Sequence, residues 1–243
     1  MRKKAFNTIA LLALGAVLWS GGQFTMDTIR TTVEGVEKRA NILPNVETSF
    51  NETVDEPKVA ASSYIDDKSL IIGDVSIDEQ VFVGPMSVIR GDEGGPIFIG
   101  ASSNVQDGVV LHALETEEDG KVLENHVVKK DGKTYALYIG KEVSIAHQAQ
   151  IHGPALIGDR VFVGMQAFVF KAEIGDQVII EPGAKIMGVK IPPSRYVPAG
   201  MVLTEQKAAD QLPVITEDYK FFGLNQKVVH VHQQLATGYL QRK

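Results

Sequence analysis

Cut in sixes, residues 139–168 read IGKEVS, IAHQAQ, IHGPAL, IGDRVF, VGMQAF. Each six opens on Ile or Val, and its fifth residue is Val or Ala. The same frame runs through Ile65, Ile71, Ile77, Val83 and Ile89, slips by four residues, and resumes at Ile99, Val105 and Leu111. Beyond residue 168, after one short six, it returns at Ile174, Ile180 and Ile186. A sustained six-residue period is the signature of a hexapeptide solenoid. The first residue of each six points into a narrow triangular core, and the fifth must be small because it crowds the same interior. Three sixes make one coil of about eighteen residues, and coils stack about 4.8 Å apart as in any β-ladder. The sequence therefore predicts an all-β fold, a left-handed parallel β-helix over residues 59–200.

Two segments leave this frame. Residues 113–137, ALETEEDGKVLENHVVKKDGKTYAL, form a charged loop inserted within one coil, and long insertions in compact folds tend to carry function. After Pro198 the period ends, and residues 201–243 read as a C-terminal helical segment packed alongside the solenoid. Thr216 is its expected cap, ahead of apolar residues at helical spacing.

At the other end, Arg2, Lys3 and Lys4 precede the apolar run FNTIALLALGAVLW, with Ser20, Gly21 and Gly22 as small residues at a cleavage position. Residues 1–22 thus read as a signal peptide, with an uncleaved membrane anchor as the alternative, and the protein is expected to be exported to the periplasm, cell envelope or extracellular space. Residues 23–58 read as a polar leader with some helix around residues 28–40. Lys and Arg number 24 against 30 Asp and Glu, a net charge of −6 that disfavours nucleic acid as a partner. The chain contains no cysteine, which excludes disulfides and thiolate metal ligands.

The hexad frame also places the histidines. With the faces named a, b and c from Ile65 on a, the sixes at Ile89, Leu111 and Ile151 all fall on face b in successive coils. Arg90, His112 and His152 occupy the second position of each and form one column, so the two histidines are neighbours able to share a metal. His147 falls on face a, above Asp107, and points round a corner from that pair. One chain does not bring the three together, but a three-fold assembly does if face a of one subunit meets face b of the next. Three imidazoles with an open position form the ligand set of a catalytic zinc site. Ferrous iron and cobalt suit imidazole equally well. A lone outward histidine on a solenoid is ordinarily a surface residue; the stacked pair with a third at a seam is what argues for a metal. His126 reads as a solvated loop residue. His230 and His232, two apart on a helix, do not share a face and read as structural.

Beyond this pattern, the strings IRGDEGGPIFIG, SNVQDGVVLHALET, DGKTYALYIG, SIAHQAQIHGPA, GMQAFVFK and RYVPAGMV resemble the gamma-class carbonic anhydrases, over about residues 59–240. The resemblance implies a homotrimer that hydrates carbon dioxide to bicarbonate, with His112, His147 and His152 as metal ligands. It further implies an interface ion pair of Arg90 with Asp92, and Gln106 as a hydrogen-bonding partner of the reacting oxygen, supported by Asn104 and Asp107. Glu93 matches a glutamate that assists proton transfer, Glu115 the proton shuttle, and Asn225 a residue of the C-terminal helix near the site. The family prototype's N-terminal tryptophan has no counterpart, since Trp19 lies in the signal region. Met165, Phe168 and Phe170 are candidates for an apolar wall or for plain packing between subunits. Two rival readings are a hexapeptide-repeat acyltransferase, disfavoured by three convergent histidines and the lack of a basic coenzyme-binding patch, and a non-catalytic assembly protein of the same family, disfavoured by retention of His112, His147, His152, Gln106 and Glu115.

Overall fold

The computed structural model describes residues 39–242. The expected signal peptide and most of the leader lie outside these residues.

The hexads fold as parallel strands in three sheets. Face a stacks Tyr64–Ile65, Phe82–Val83, Asn104–Val105, Ser144–Ile145, Phe162–Val163, Ile179–Ile180 and Tyr196–Val197. Face b runs from Leu70–Gly73 through Val88–Gly91, Val110–His112, Gln150–His152, Phe168–Phe170 and Lys185–Met187 to Val202–Leu203. Face c runs from Lys58–Val59 through Ile97–Ile99, Leu137–Ile139 and Ala155–Ile157 to Lys190–Ile191. The chain visits the faces in the cyclic order a, b, c and winds a left-handed β-helix. The face order inferred from the hexads holds through both interruptions: Leu111 pairs with Ile89 on one side and Ile151 on the other.

The first residues of the sixes, among them Ile65, Ile89, Leu111, Ile151 and Val163, are fully or almost fully buried in one continuous core. The fifth residues Val109, Ala149, Ala167 and Ala184 join them there, and Ser87 in the same role donates its hydroxyl to Gln106 O at 2.8 Å. The serine satisfies its own polar group inside the wall, as burial requires. Corners between faces are tight. Met86, Gln148 and Gln166, stacked at the corner between faces a and b, adopt left-handed φ values of 62°, 59° and 57°. Such a conformation costs a non-glycine residue on the order of 1 kcal/mol. It is held because the flanking strands fix the chain on both sides.

The ends of the solenoid differ from the expectation. Ile42–Leu43 already pairs with Ile71–Ile72, adding a strand to face b from within the segment read as leader. The ladder also continues past Pro198 to Val202–Leu203, which pairs with Lys185–Ile186. Leu203 stands six residues after Val197, itself six after Ile191, and all three are buried in the core, so this strand continues the hexad frame past Pro198; Ile42–Leu43 keeps no such period and is recruited by the open edge of the first coil.

The insertion folds into two antiparallel hairpins, Glu117–Glu118 with Lys121–Val122 and Val128–Lys130 with Lys133–Tyr135, joined by a short 3-10 turn at Glu124–His126. Aromatic contacts hold it to face c: the Tyr135 ring lies 5.1 Å from Tyr138, and Tyr138 stacks on Phe98 at 5.3 Å.

Two helices follow the last coil, α1 (Gln206–Asp210) and α2 (Leu224–Leu240). The long helix lies along face a with Asn225, Val229 and Ala236 buried. It begins eight residues later than the expected cap at Thr216. Residues 216–223 instead form turns, because their side chains are committed elsewhere. Tyr219 stacks on Tyr196 at 4.2 Å and donates its hydroxyl to Glu181 at 2.8 Å. The helix then starts at Gly223, whose φ of 71° is left-handed.

Glu181 is a buried carboxylate on face a. It accepts hydrogen bonds from Tyr219 Oη at 2.8 Å, Ala199 N at 3.1 Å and Lys220 Nζ at 3.3 Å. Burial pushes its pKa upward, but these donors outweigh it, and the carboxyl titrates below its ordinary value. A depressed folded pKa stabilises the fold at pH values above the unfolded one, and the stabilisation is lost as pH falls through the folded value. Glu181→Gln is expected to lower the unfolding free energy at neutral pH by about 1–3 kcal/mol. The deficit should shrink as the medium is acidified below the usual glutamate range, read by denaturant titration of both proteins.

Candidate metal centre

The parallel register of face b sets His152 directly against His112. The column continues to Phe170, whose ring lies 5.4 Å from the His152 ring. His112 Nδ1 and His152 Nε2 are 3.3 Å apart, with the two rings nearly perpendicular at 86°. His152 Nδ1 lies 2.9 Å from the carbonyl oxygen of Gly153. A carbonyl only accepts, so Nδ1 carries the hydrogen and Nε2 presents a lone pair. Gly153 is required at this spot: a Cβ there would overlap Ala136 O, where the insertion returns to the coil.

Below the pair, Arg90 anchors the acidic groups. Its Nε is 3.1 Å from both oxygens of Asp92, and its terminal nitrogen reaches Asp92 at 3.0 Å and Glu93 at 3.5 Å. The pair is partly exposed and contributes little to stability. Its geometric effect is to aim both carboxylates upward. Glu93 Oε1 and Asp92 Oδ1 lie 3.6 and 3.8 Å from His112 Nε2. That nitrogen is buried and has no hydrogen-bond partner among the described residues. Burial, aided by the nearby Arg90 and His152, holds the His112 pKa below its ordinary value against the pull of Glu93 and Asp92. The shift disfavours the charged form of His112, and the neutral imidazole is the form in which histidine binds a metal.

The second group of residues sits where face a turns toward face b. His147 Nδ1 is 3.3 Å from Asp107 Oδ2 in the coil below, and the His147 side chain is half exposed. Inward from it, Asn104 donates its amide to Ser144 Oγ at 2.9 Å, and Gln106 Nε2 donates to Asn104 Oδ1 at 2.9 Å. The serine hydroxyl fixes which way the Asn104 amide lies, and Asn104 then fixes Gln106. Gln106 is left with Oε1 and one N–H to offer. Among the described residues no three His, Cys, Asp or Glu groups of a single chain converge on a metal position. His112 and His152 stand together, and His147 faces away from them, as the hexad frame implied.

Three residues depart from expectation. Asn225 is not with His147: its amide donates to Glu142 O at 2.7 Å, and Glu142 precedes the strand Ser144–Ile145 that His147 follows. The helix residue on the His147 side is His232, whose ring meets Phe82 at 5.1 Å; burial chiefly, and then the His147 charge, lowers its pKa, while Asp107 and the Val228 carbonyl oppose this. Its phase with Val229 and Ala236 puts it on the inner face of the helix, a signal available from the spacing. His126 is not solvated. Its side chain is only 16% exposed, and Nδ1 lies 2.8 Å from Glu115 O and 3.7 Å from a Glu115 carboxylate oxygen. Glu115 itself stands at the root of the insertion with a half-exposed carboxylate.

Comparison with known proteins places this arrangement. No family model matches the chain. The carbonic anhydrase of Methanosarcina thermophila is 47% identical over 243 residues, covering 98% of this chain and 98% of that protein. The chain belongs to the gamma-class carbonic anhydrases. Among other gamma-type relatives, the carboxysome assembly protein CcmM of a Nostoc species is 39% identical over 193 residues, which are 79% of this chain but 33% of that protein. A hexapeptide transferase family protein from Anaplasma phagocytophilum superposes with a TM-score of 0.59 at 24% identity, over 76% of this chain and 93% of that one. The last likeness bears on the β-helix alone. Against this gamma-class background, the stacked pair His112 and His152 and the separate His147 are the residues whose chemistry suits a metal ligand set.

Proposed function

We infer that this protein catalyses the reversible hydration of carbon dioxide to bicarbonate and a proton, at a divalent metal held between subunits of a homotrimer. The observation that carries the reading is the stacked pair His112 and His152, with a third imidazole displaced onto the adjoining face. Near-complete coverage of a carbonic anhydrase at 47% identity supports the reaction.

The donor set fits the metal. His152 has its Nδ1 hydrogen engaged by Gly153 O and turns its Nε2 lone pair to His112 Nδ1 at 3.3 Å; His112 Nε2 is buried without a hydrogen-bond partner among the described residues. His112 and His152 of one subunit would hold the ion together with His147 from a second copy. Three imidazole ligands suit zinc first, with ferrous iron and cobalt as alternatives. Bound there, the ion supplies acidification of water to a pKa of about 7, so that hydroxide is available at neutral pH. Gln106, oriented through Asn104 and Ser144, positions the attacking oxygen by hydrogen bonding. Phe170, against His152, lends an apolar wall on the side where carbon dioxide would enter; Phe168, 6.3 Å from it, extends the wall. Glu93 receives the released proton beside His112, and Glu115 passes it to solvent. Arg90 and Asp92 hold Glu93 in reach. A non-catalytic role as in assembly proteins would make no use of this retained set.

The proposal includes export, based on the basic and apolar segments of residues 1–22. N-terminal sequencing of native protein should find a chain starting after about residue 22; a retained Met1 on membranes would mean an anchor instead.

Glu115→Ala is expected to slow turnover by about 10²-fold or less through proton transfer alone, with bound metal unchanged. Imidazole buffer should restore much of the rate. A rate that stays low at every buffer concentration would remove Glu115 from the pathway.

The split ligand set has a sharper consequence. His147→Ala and His152→Ala are each expected to be inactive. Reassembled together, they should regain activity, because one seam of each mixed trimer pairs an intact His112 and His152 with an intact His147. At best about one site in three is restored. Carbon dioxide hydration and metal content, measured on isolated heterotrimers, decide the matter. Heterotrimers no more active than either parent would place all three ligands on one chain.

A further inference from the structure

The charged insertion is tied back to the solenoid at its root. Leu114, Glu115 and Thr116 lie there outside any strand. On one side they press on the turn that follows Glu93. Gly95 N donates to Thr116 Oγ1 at 3.3 Å, and that hydroxyl donates back to Gly95 O at 3.4 Å. A Cβ on Gly94 would overlap Leu114 O. The backbone that carries Glu93 and the backbone that carries Glu115 are therefore in direct contact.

On the other side the contact is His126. Its own N–H closes the 3-10 turn by donating to Leu123 O at 2.8 Å, and Leu123 N donates to Thr116 O at 2.8 Å. The imidazole then reaches Glu115. Its Nδ1 lies 2.8 Å from Glu115 O and 3.7 Å from a carboxylate oxygen of the same residue. The carbonyl only accepts, so Nδ1 carries the hydrogen. Among the described residues Glu115 O has no other hydrogen-bond donor. Glu124 and Asn125, which precede the histidine in the turn, are exposed, so the ring is turned inward against the trend of its segment.

We propose that His126 is a positioning residue for proton export. Its Nδ1–H holds the Glu115 backbone against the turn after Glu93, which keeps the outer carboxylate within reach of the inner one. The inference rests on the roles given to Glu93 and Glu115 above, and adds what holds the second beside the first. The imidazole carries no proton in this scheme, and Nδ1 keeps its hydrogen throughout. Placement matters because a shift of about 1 Å can cost a reacting pair up to about 10²-fold in rate.

Proton export follows the release of bicarbonate, so it enters kcat but not kcat/KM for carbon dioxide. His126→Phe keeps a ring of similar breadth and removes the donor. It is expected to lower kcat about tenfold at low buffer, with kcat/KM within about twofold of the unmodified protein and bound metal unchanged. Imidazole buffer should restore kcat. His126→Gln, whose amide can donate to the same carbonyl, should keep most of kcat. Added to Glu115→Ala, His126→Phe should cause no further loss, because it acts only through that carboxylate. The inference is overturned if His126→Phe keeps its kcat at low buffer, or loses kcat/KM in proportion to kcat. It is equally overturned if His126→Gln is as slow as His126→Phe, or if the double variant is slower than Glu115→Ala. That last comparison covers any disturbance of the hairpins, since damage elsewhere would show as a further loss. If Glu115→Ala alone leaves kcat unchanged, the shuttle reading falls and this inference with it. A slow, imidazole-rescued Glu115→Ala beside an unaltered His126→Phe removes His126 alone.

Discussion

Every functional placement in this molecule follows from one constraint, the parallel ladder that sets each coil directly over the last. The ladder's phase is set from inside. A core only wide enough for one aliphatic side chain per face admits Ile, Val or Leu at the first position of each six and little else at the fifth. Once those residues are seated, an outward side chain at the second position has no choice of neighbour: it faces the second position of the coil above. Arg90, His112, His152 and Phe170 form a column for this reason, and a guanidinium, two imidazoles and a phenyl ring meet at rung spacing without any local sequence signal. The ordinary separation of β-strands, about 4.8 Å, is also a separation at which two imidazoles can share one ion.

The same geometry divides the chemistry. Side chains on one face converge along the axis but diverge round a corner, so a ligand set drawn from two faces cannot close within a single prism. What each chain can do alone is prepare its half. On face b, burial lowers the His112 pKa while Arg90 holds Asp92 and Glu93 in place beneath it. On face a, a chain of hydrogen bonds from the Ser144 hydroxyl through the Asn104 amide orients Gln106. Each half is fixed by hydrogen bonds made inside its own chain. In the assembly we propose, two rigid pieces have only to be brought together, and little ordering opposes it.

Much of this was legible in the sequence, because a six-residue period carries register as well as fold. The period assigns Ile89, Leu111 and Ile151 to one face, and the pairing of His112 with His152 follows across a 25-residue insertion. Legibility ends where the period does. Ile42–Leu43 joins face b because an open sheet edge accepts any extended segment, a property of the edge and not of the recruited residues, whereas Leu203, six residues after Val197, still belongs to the frame. The start of α2 was misplaced because Thr216 offers a good cap locally, whereas Tyr219 and Lys220 are drawn to a carboxylate thirty-eight and thirty-nine residues earlier in the chain. Asn225 turns to Glu142 and His232 to Phe82 for a similar reason: helical phase relative to a distant surface decides what each side chain meets. His126 looked solvated because nothing in the charged insertion announces the turn that folds it back on Glu115.

The insertion leaves the solenoid after His112 and rejoins it at Ala136. Across its mouth the coil is already closed, with Gly153 N bonded to His112 O at 2.8 Å and Ala136 N to Pro96 O at 2.9 Å. The two ends are therefore held by the coils and not by the loop between them. Loop-closure entropy grows only slowly with length, so residues can be added to or removed from the middle of the excursion at small cost to the fold. The framework and the excursion can accordingly diverge at different rates. A lineage could lengthen, shorten or recharge the part that reaches solvent while the imidazole column stays in register.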